Sequence, residues 1–230
     1  MPLLNEEVRD FTRKKFEAEL VNPVNLVYFT KEKSPLIVPG REPQEDCGFC
    51  PETRQLLEEL TGLSDRIKLT VYELDKEPER AAQFQVDKVP AIIVMGEQDA
   101  GIRFFGIPSG YEFMSLLEAI VDVSRGETEL SQETKTALKN LTREVNIQVF
   151  VTPTCPYCPV AVRLGHQMAL ESPLVKAAMV EATEFPELTQ KYEVFGVPKT
   201  IFNDSLTLEG AVPEEMFLEQ VLKAGGPEAH

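Results

Sequence analysis

The four cysteines of this chain form two pairs, Cys47-Gly48-Phe49-Cys50 and Cys155-Pro156-Tyr157-Cys158, each followed at once by proline. Shifting the sequence by 108 positions lays Cys47 on Cys155, Cys50 on Cys158, Val89 on Val197 and Pro90 on Pro198. Four coincidences at one offset mark a duplicated unit, so whatever one half folds into, the other must approximate. Beyond the Val-Pro pairs the offset becomes 104, matching Gly106 to Gly210 and Phe113 to Phe217. A hairpin loop four residues longer in the first unit, residues 96–101 against Asn203-Asp204-Ser205, accounts for the change.

Each unit then reads alike: an opening helix, an apolar strand, the cysteine pair at the start of a helix, a strand, a short helix, Val-Pro entering a hairpin, and a final helix. Runs rich in β-branched and aromatic residues, such as VNLVYF (24–29), AIIVM (91–95) and IQVFV (147–151), predict strands. Apolar residues spaced by three and four predict helices near 51–61, 109–123, 159–170 and 213–223. Alternating strands and helices closed by a hairpin and a helix give α/β order with a mixed sheet. The polar run 124–135 divides the chain into units 1–124 and 125–230, and Ser131 with Thr134 offers a weak cap for the second unit's opening helix. Seventeen residues separate Thr30 from Cys47, whereas three separate Thr152 from Cys155. Unit one therefore carries a 14-residue, proline-bearing insertion beside its cysteine pair.

Length and composition suit two soluble domains: 230 residues, 43% hydrophobic and 27% charged. No apolar run approaches the roughly 20 residues that cross a bilayer. The opening MPLLNEEVRDFTRKKFEAEL lacks the parts of a signal peptide, which predicts retention in the cytoplasm. A formal charge of −15 without a basic patch argues against nucleic-acid partners and suits solvated helix faces.

Cytosolic thiols are kept reduced, so paired cysteines there point to metal binding or redox chemistry. Cysteines three apart in a helical turn have Cα atoms about 5 Å apart, within disulfide range, so each pair can open and close locally. With Cys47 or Cys155 as N-cap, the second cysteine falls at N3 and the proline at N4, where its missing N–H forfeits at most the first helical bond. The helix terminus favours a thiolate on the first sulfur, making Cys47 and Cys155 the nucleophiles and Cys50 and Cys158 the resolving thiols. A four-cysteine zinc site is the rival, but zinc ribbons separate their pairs by roughly 15 to 20 residues. Purely structural disulfides are a weaker alternative, since so small a loop constrains the unfolded chain little.

CPYC resembles the glutaredoxin motif, and a cysteine pair with Val-Pro 43 residues on resembles a thioredoxin fold. The tandem arrangement, with VNPV (21–24), FGIP (105–108), IVDVSRG (120–126) and FVTPTCPYCP (150–159), resembles the protein disulfide oxidoreductases of hyperthermophilic archaea and bacteria over nearly the whole chain. The resemblance implies two tandem thioredoxin-fold units, each a mixed sheet flanked by helices. It implies cis bonds at Val89-Pro90 and Val197-Pro198, with the valine backbones binding extended substrate. The insertion and the CGFC sequence depart from the pattern. Thioredoxin folds often place a buried carboxylate six residues before the first cysteine; here Val149 stands there, leaving Glu181 or Glu73 as substitutes. His166, more than ten ångströms along the helix from Cys158 by rise per residue, reads as a packed or surface residue.

The expected activity is thiol–disulfide exchange that reduces, forms or isomerises disulfides in cysteine-containing proteins, without cofactor or metal. Alternatives are an electron carrier fed by a thioredoxin-reductase-like flavoenzyme, and a redox-inert chaperone-like or zinc-binding module. Acidic residues crowd Cys47 (Glu42, Glu45, Asp46, Glu52), while none lies within ten residues of Cys155, so Cys155 is expected to be the more acidic thiol.

Overall fold

Strands buried on both faces need helices on both sides, and the longest apolar runs are placed accordingly. In the computed structural model, which describes residues 2–31 and 47–226, β1 (Val24–Thr30), β3 (Ala91–Met95), β4 (Ile102–Phe105), β5 (Val145–Val151), β6 (Val175–Glu181) and β7 (Lys199–Phe202) are almost wholly buried. The outer strands β2 (Ile67–Glu73) and β8 (Leu206–Glu209) are only partly covered. The helices are α1 (Glu6–Glu19), α2 (Cys50–Thr61), α3 (Pro78–Phe84), α4 (Glu112–Arg125), α5 (Gln132–Leu138), α6 (Cys158–Glu171), α7 (Pro186–Lys191) and α8 (Glu214–Gly225).

All eight strands form one sheet in the order β2-β1-β3-β4-β6-β5-β7-β8. The second half of that order repeats the first, so the units are joined head to tail by β4 and β6, which run parallel. β1 is antiparallel to β3, β3 antiparallel to β4, and β6 parallel to β5. β1 and β5 therefore point the same way, and the cysteine pairs that follow them lie at the same edge of the sheet. Four strand steps separate them, roughly 19 Å at ~4.8 Å per step.

One face carries the larger core, where Phe16, Leu57, Leu60, Ile120, Val162 and Phe217 join α1, α2, α4, α6 and α8 to the sheet. The other face carries Phe29, Phe84, Phe105, Phe150 and Ile201 under α3 and α7. Beyond the β4–β6 ladder, α4 lies against α6: Arg163 meets Glu118 at 2.9 Å and Asp122 at 3.5 Å. His166 donates from Nε2 to the Arg103 carbonyl oxygen at 3.1 Å and packs edge-on to Phe104, tying α6 to β4.

The helix starts differ from the sequence reading. Phe49 and Tyr157 are the N-caps, so Cys50 and Cys158 are the first helical residues and the prolines the second. Residues 48–49 and 156–157 form turns ahead of the two helices, which leaves Cys47 and Cys155 before the terminus instead of capping it. The prolines then sacrifice no helical bond, because N–H groups in the first turn have no intrahelical partner. Ser131 does cap α5, accepting from Thr134 N at 3.1 Å, but that helix has seven residues against fourteen in α1. The proline-bearing insertion falls outside the described residues.

Candidate functional site

At the second pair, the turn from Thr152 to Tyr157 brings Cys155 ahead of α6, and the Cys158 N–H donates to Cys155 Sγ at 3.1 Å. The two cysteines are joined as a disulfide, with Cα atoms 5.5 Å apart. Cys158 is fully buried and Cys155 nearly so, and the flanking Pro156 and Tyr157 are exposed. The Val197-Pro198 bond is cis, and the Val197 carbonyl oxygen lies 3.8 Å from Cys155 Sγ. The structure thus brings together, from two segments, the sulfur and the valine backbone singled out in the sequence.

Unit one supplies part of this site. Gly110 has φ +60°, and a Cβ there would sit 2.1 Å from the Pro153 carbonyl oxygen. The next residue, Tyr111, donates its N–H to that same oxygen at 3.0 Å. This contact delivers the start of α4 to the turn before Cys155. α4 and α6 run parallel, since Arg163 bridges to Glu118 and Gln167 Nε2 to Asp122 Oδ2 at 3.3 Å, a constant offset of 45 residues. The same offset sets Glu112 level with Tyr157, next to Cys158. Glu112 is 1% exposed and both of its carboxylate oxygens lack a hydrogen-bond partner. Burial pushes its pKa up to about 7; the nearby Ser115 hydroxyl, itself without a hydrogen-bond partner, offsets burial only in part.

The first pair is also a disulfide, with Cα atoms 5.4 Å apart. Cys47 is partly exposed and Cys50 buried, and the Tyr28 hydroxyl donates to the Cys50 carbonyl oxygen at 2.8 Å. Burial raises the Tyr28 pKa to about 12. The Val89-Pro90 bond is cis, and Gly106 N–H donates to the Pro90 carbonyl oxygen at 2.9 Å. Here unit two reaches across: Glu184 Oε1 accepts from Ile107 N at 2.6 Å and would lie 2.8 Å from a Cβ at Gly106. Burial, with Glu181 nearby, raises Glu184 to about 7 although the Ile107 N–H opposes the shift.

Of the carboxylates considered in the sequence, Glu181 is buried and accepts from Thr183 Oγ1 and Glu184 N, a cap for the turn into α7. Glu73 pairs with Lys76 at 2.6 Å. His166 is fully packed, and burial lowers its pKa to about 4. The four sulfurs stand at opposite ends of a four-strand separation and do not converge on one point. Glu112 escaped the sequence reading, although its place on the buried face of α4, in line with Leu116 and Ile120, was a signal.

A thioredoxin domain family model matches residues 145–223. The crystal structure of a protein disulfide oxidoreductase from Aeropyrum pernix K1 is similar over 96% of this chain and 93% of that one, at 34% identity and a TM-score of 0.85. The N-terminal domain of the alkyl hydroperoxide reductase AhpF from Enterococcus faecalis is similar over 94% of this chain and 99% of that one, at 26% identity and a TM-score of 0.83. The corresponding alkyl hydroperoxide reductase protein of Staphylococcus aureus is 30% identical over 152 residues, 66% of this chain and 27% of that protein. The chain spans under a third of the length of the curated relatives it matches.

Proposed function

This chain belongs to the protein disulfide oxidoreductases and is a thiol–disulfide oxidoreductase, and from that premise we propose how its residues divide the work. Cys155 and Cys47 are the attacking thiols, and Cys158 and Cys50 resolve the mixed disulfides. The observation that carries this is the geometry at Cys155. Its sulfur receives a helix-terminal N–H and faces a valine carbonyl beside which an extended chain can pair.

In the reducing direction, Cys155 thiolate attacks one sulfur of a substrate disulfide. A Cys155–substrate disulfide forms, and the other substrate sulfur leaves as thiolate and takes a proton. Cys158 then loses its proton, attacks Cys155 Sγ, and expels the second substrate thiolate. Two electrons have passed to the substrate and the pair is closed. Glu112, level with Tyr157 next to Cys158 and with a pKa near neutrality, takes the proton in the second step and returns it in the reverse direction. Val197-Pro198 and Val89-Pro90 hold the substrate backbone at the two sites.

Units 1–124 and 125–230 each carry one thiol pair in this reading, although α4 runs on through Arg125 and supplies Glu112 to its neighbour's site. The partners are cysteine-bearing proteins, with a thioredoxin-reductase-like flavoenzyme as the electron source. That source is favoured by the likeness to one part of longer alkyl hydroperoxide reductase proteins. The compartment is the cytoplasm, in keeping with paired, reversible thiols; no helix among the described residues is long and apolar enough to cross a membrane. Turnover of a scrambled disulfide protein is the test. Replacing Cys155 and Cys158 by serine should remove most activity and replacing all four cysteines should abolish it. Refolding assistance that survives the fourfold replacement would instead mark a holdase.

A further inference from the structure

The repeat supplies the two thiol pairs unequally with groups that can take a proton. Glu112 serves the second pair, but the residue that matches it at offset 104 is Met216, so the repeat gives site one no counterpart. What site one has instead is a hydroxyl. β1 and β5 correspond through the sheet register: Tyr28 pairs with Ile92 and Val149 with Thr200, and Ile92 matches Thr200 at offset 108. Tyr28 therefore occupies the place of Val149. It is fully buried, and its hydroxyl reaches the Cys50 carbonyl oxygen at 2.8 Å.

A carboxylate comes to that hydroxyl from the other unit. Glu184 follows β6, and its Oε1 accepts from Ile107 N at 2.6 Å, next to Gly106, whose own N–H bonds the Pro90 carbonyl oxygen. Pro90 stands two residues before Ile92, the partner of Tyr28. Gly106 has φ +91°, and a Cβ there would meet Glu184 Oε1 at 2.8 Å, so glycine is what admits the carboxylate. The charge of Glu184 is felt at the Tyr28 phenol, as are those of Arg54 and the exposed Glu52. Glu184 is half-buried, whereas Tyr28 and Cys50 are shut off from water. From the interior outward stand a thiol, a hydroxyl and a water-facing carboxylate.

The other charged groups near Cys50 are committed to neighbours. An opening beside it is lined by Lys31, Arg54, Glu73 and Glu77. Lys31 pairs with Asp75, Arg54 with Glu58 and Glu73 with Lys76, and Glu77 accepts the Glu73 N–H. Glu181, beside Glu184, accepts from Thr183 Oγ1 and from the Glu184 N–H.

We infer that Glu184 of unit two takes the proton of Cys50 in unit one, with the Tyr28 hydroxyl between them, so that each unit lends the other a carboxylate. The inference rests on the proposed exchange at site one. When Cys50 closes the pair, its thiol proton passes to the Tyr28 oxygen as the phenolic proton passes to Glu184. Cys50 Sγ bonds to Cys47 Sγ, the Cys47–substrate bond breaks, and the substrate leaves as a thiolate that takes a proton from water. Glu184 then releases its own proton to water. No phenolate accumulates, which suits a hydroxyl whose pKa burial raises to about 12. Burial, with Glu181 nearby, brings Glu184 to about 7, where a carboxylate both accepts and releases a proton near neutrality.

The test uses the full chain with Cys155 and Cys158 replaced by serine, reduced, and mixed with a substoichiometric amount of dithiobis-nitrobenzoate. Attack by Cys47 releases one coloured thiolate and closure by Cys50 releases the second, so the second phase in stopped flow reads the step. Its rate should rise with pH to a shoulder near the Glu184 value of about 7. Glu184→Gln keeps an acceptor for Ile107 N, yet should remove the shoulder and slow closure about 10- to 100-fold just above neutrality. Tyr28→Phe should do the same. Both variants should approach the unaltered rate at about pH 10, where Cys50 ionises unaided. In the complementary chain lacking Cys47 and Cys50, neither substitution should slow closure at the second pair. A shoulder that survives both substitutions, slowing that is equal at all pH values, or equal slowing at the two pairs overturns the inference. A second phase that never appears in the unaltered site would overturn the exchange reading itself.

Discussion

At the level of single residues, the site is a contest between a helix terminus and nearby carboxylates. Cys155 has the Cys158 N–H on its sulfur and no acid within ten residues in sequence, while Glu45, Asp46 and Glu52 crowd Cys47. Cys155 should therefore show the lower thiol pKa and the higher reduction potential. Thiolate absorbance and iodoacetamide reactivity of the two single-site variants measure this, and an equal or lower pKa at Cys47 would refute it. Glu112 offers a sharper check, because one substitution should move activity and stability in opposite directions. Its folded pKa of about 7 lies above the ordinary carboxylate value, so the penalty of holding an anion there appears as pH rises through 4.5, and is complete above 7. Glu112→Gln should thus stabilise the fold at pH 8 by on the order of 3 kcal/mol, at about 1.4 kcal/mol per pKa unit, and change little at pH 4. The same variant should slow resolution of the Cys155 mixed disulfide roughly 10- to 100-fold near neutrality. Stopped-flow kinetics and urea unfolding at the two pH values report both. The cysteines and Val-Pro pairs were legible in the sequence because each repeats. Glu112 was not, because its partner at offset 104 is Met216 and its site lies in the other unit.

Among the elements, α4 and the turn before it do the most to build the second site. Gly110→Ala forces a side chain into φ +60° and against the Pro153 carbonyl oxygen. The strained backbone alone costs about 1–2 kcal/mol, and the clash must move the turn before Cys155. The variant should melt several degrees lower and lose exchange rate at the second pair more than at the first. Equal losses at both would show that the contact does not position Cys155. Strands and hairpins were read correctly to within one or two residues because β-branched runs and tight turns are local signals, as with Asn203 and Asp204, whose left-handed φ values close the shorter hairpin. The placement of Cys155 ahead of the helix was not legible, because a turn and a first helical turn look alike in composition.

In the molecule as a whole, the titrations of buried groups oppose one another. Glu112, Glu184 and Asp122 are raised to about 7, 7 and 6, chiefly by burial, so each adds stability as pH falls from its folded value toward its ordinary one, 4.5 for the two glutamates and 3.8 for Asp122. His166 is lowered to about 4 and must stay neutral, so its contribution is full above 6.5 and fades as pH drops through 4. Against the effect of burial, hydrogen bonds and ion pairs hold Glu59, Asp99, Glu118 and Glu214 low, and their support is lost only as pH falls below 4.5. Three gains against one loss predict greatest stability near pH 5, to be read from urea midpoints between pH 4 and 9; a maximum above pH 7 would contradict the balance. The joining of the units through β4 and β6 could not be read from the sequence, since neither strand carries a signal for a parallel neighbour so far along the chain. That head-to-tail joint sets both thiol pairs on one edge, roughly 19 Å apart, a span that about six extended residues cover at ~3.3 Å each. On the exchange proposed above, a client captured by one sulfur would thereby be leashed to the other and meet it at an effective concentration in the millimolar range, so that a wrong bond opened at one pair is traded for a right one before the client escapes.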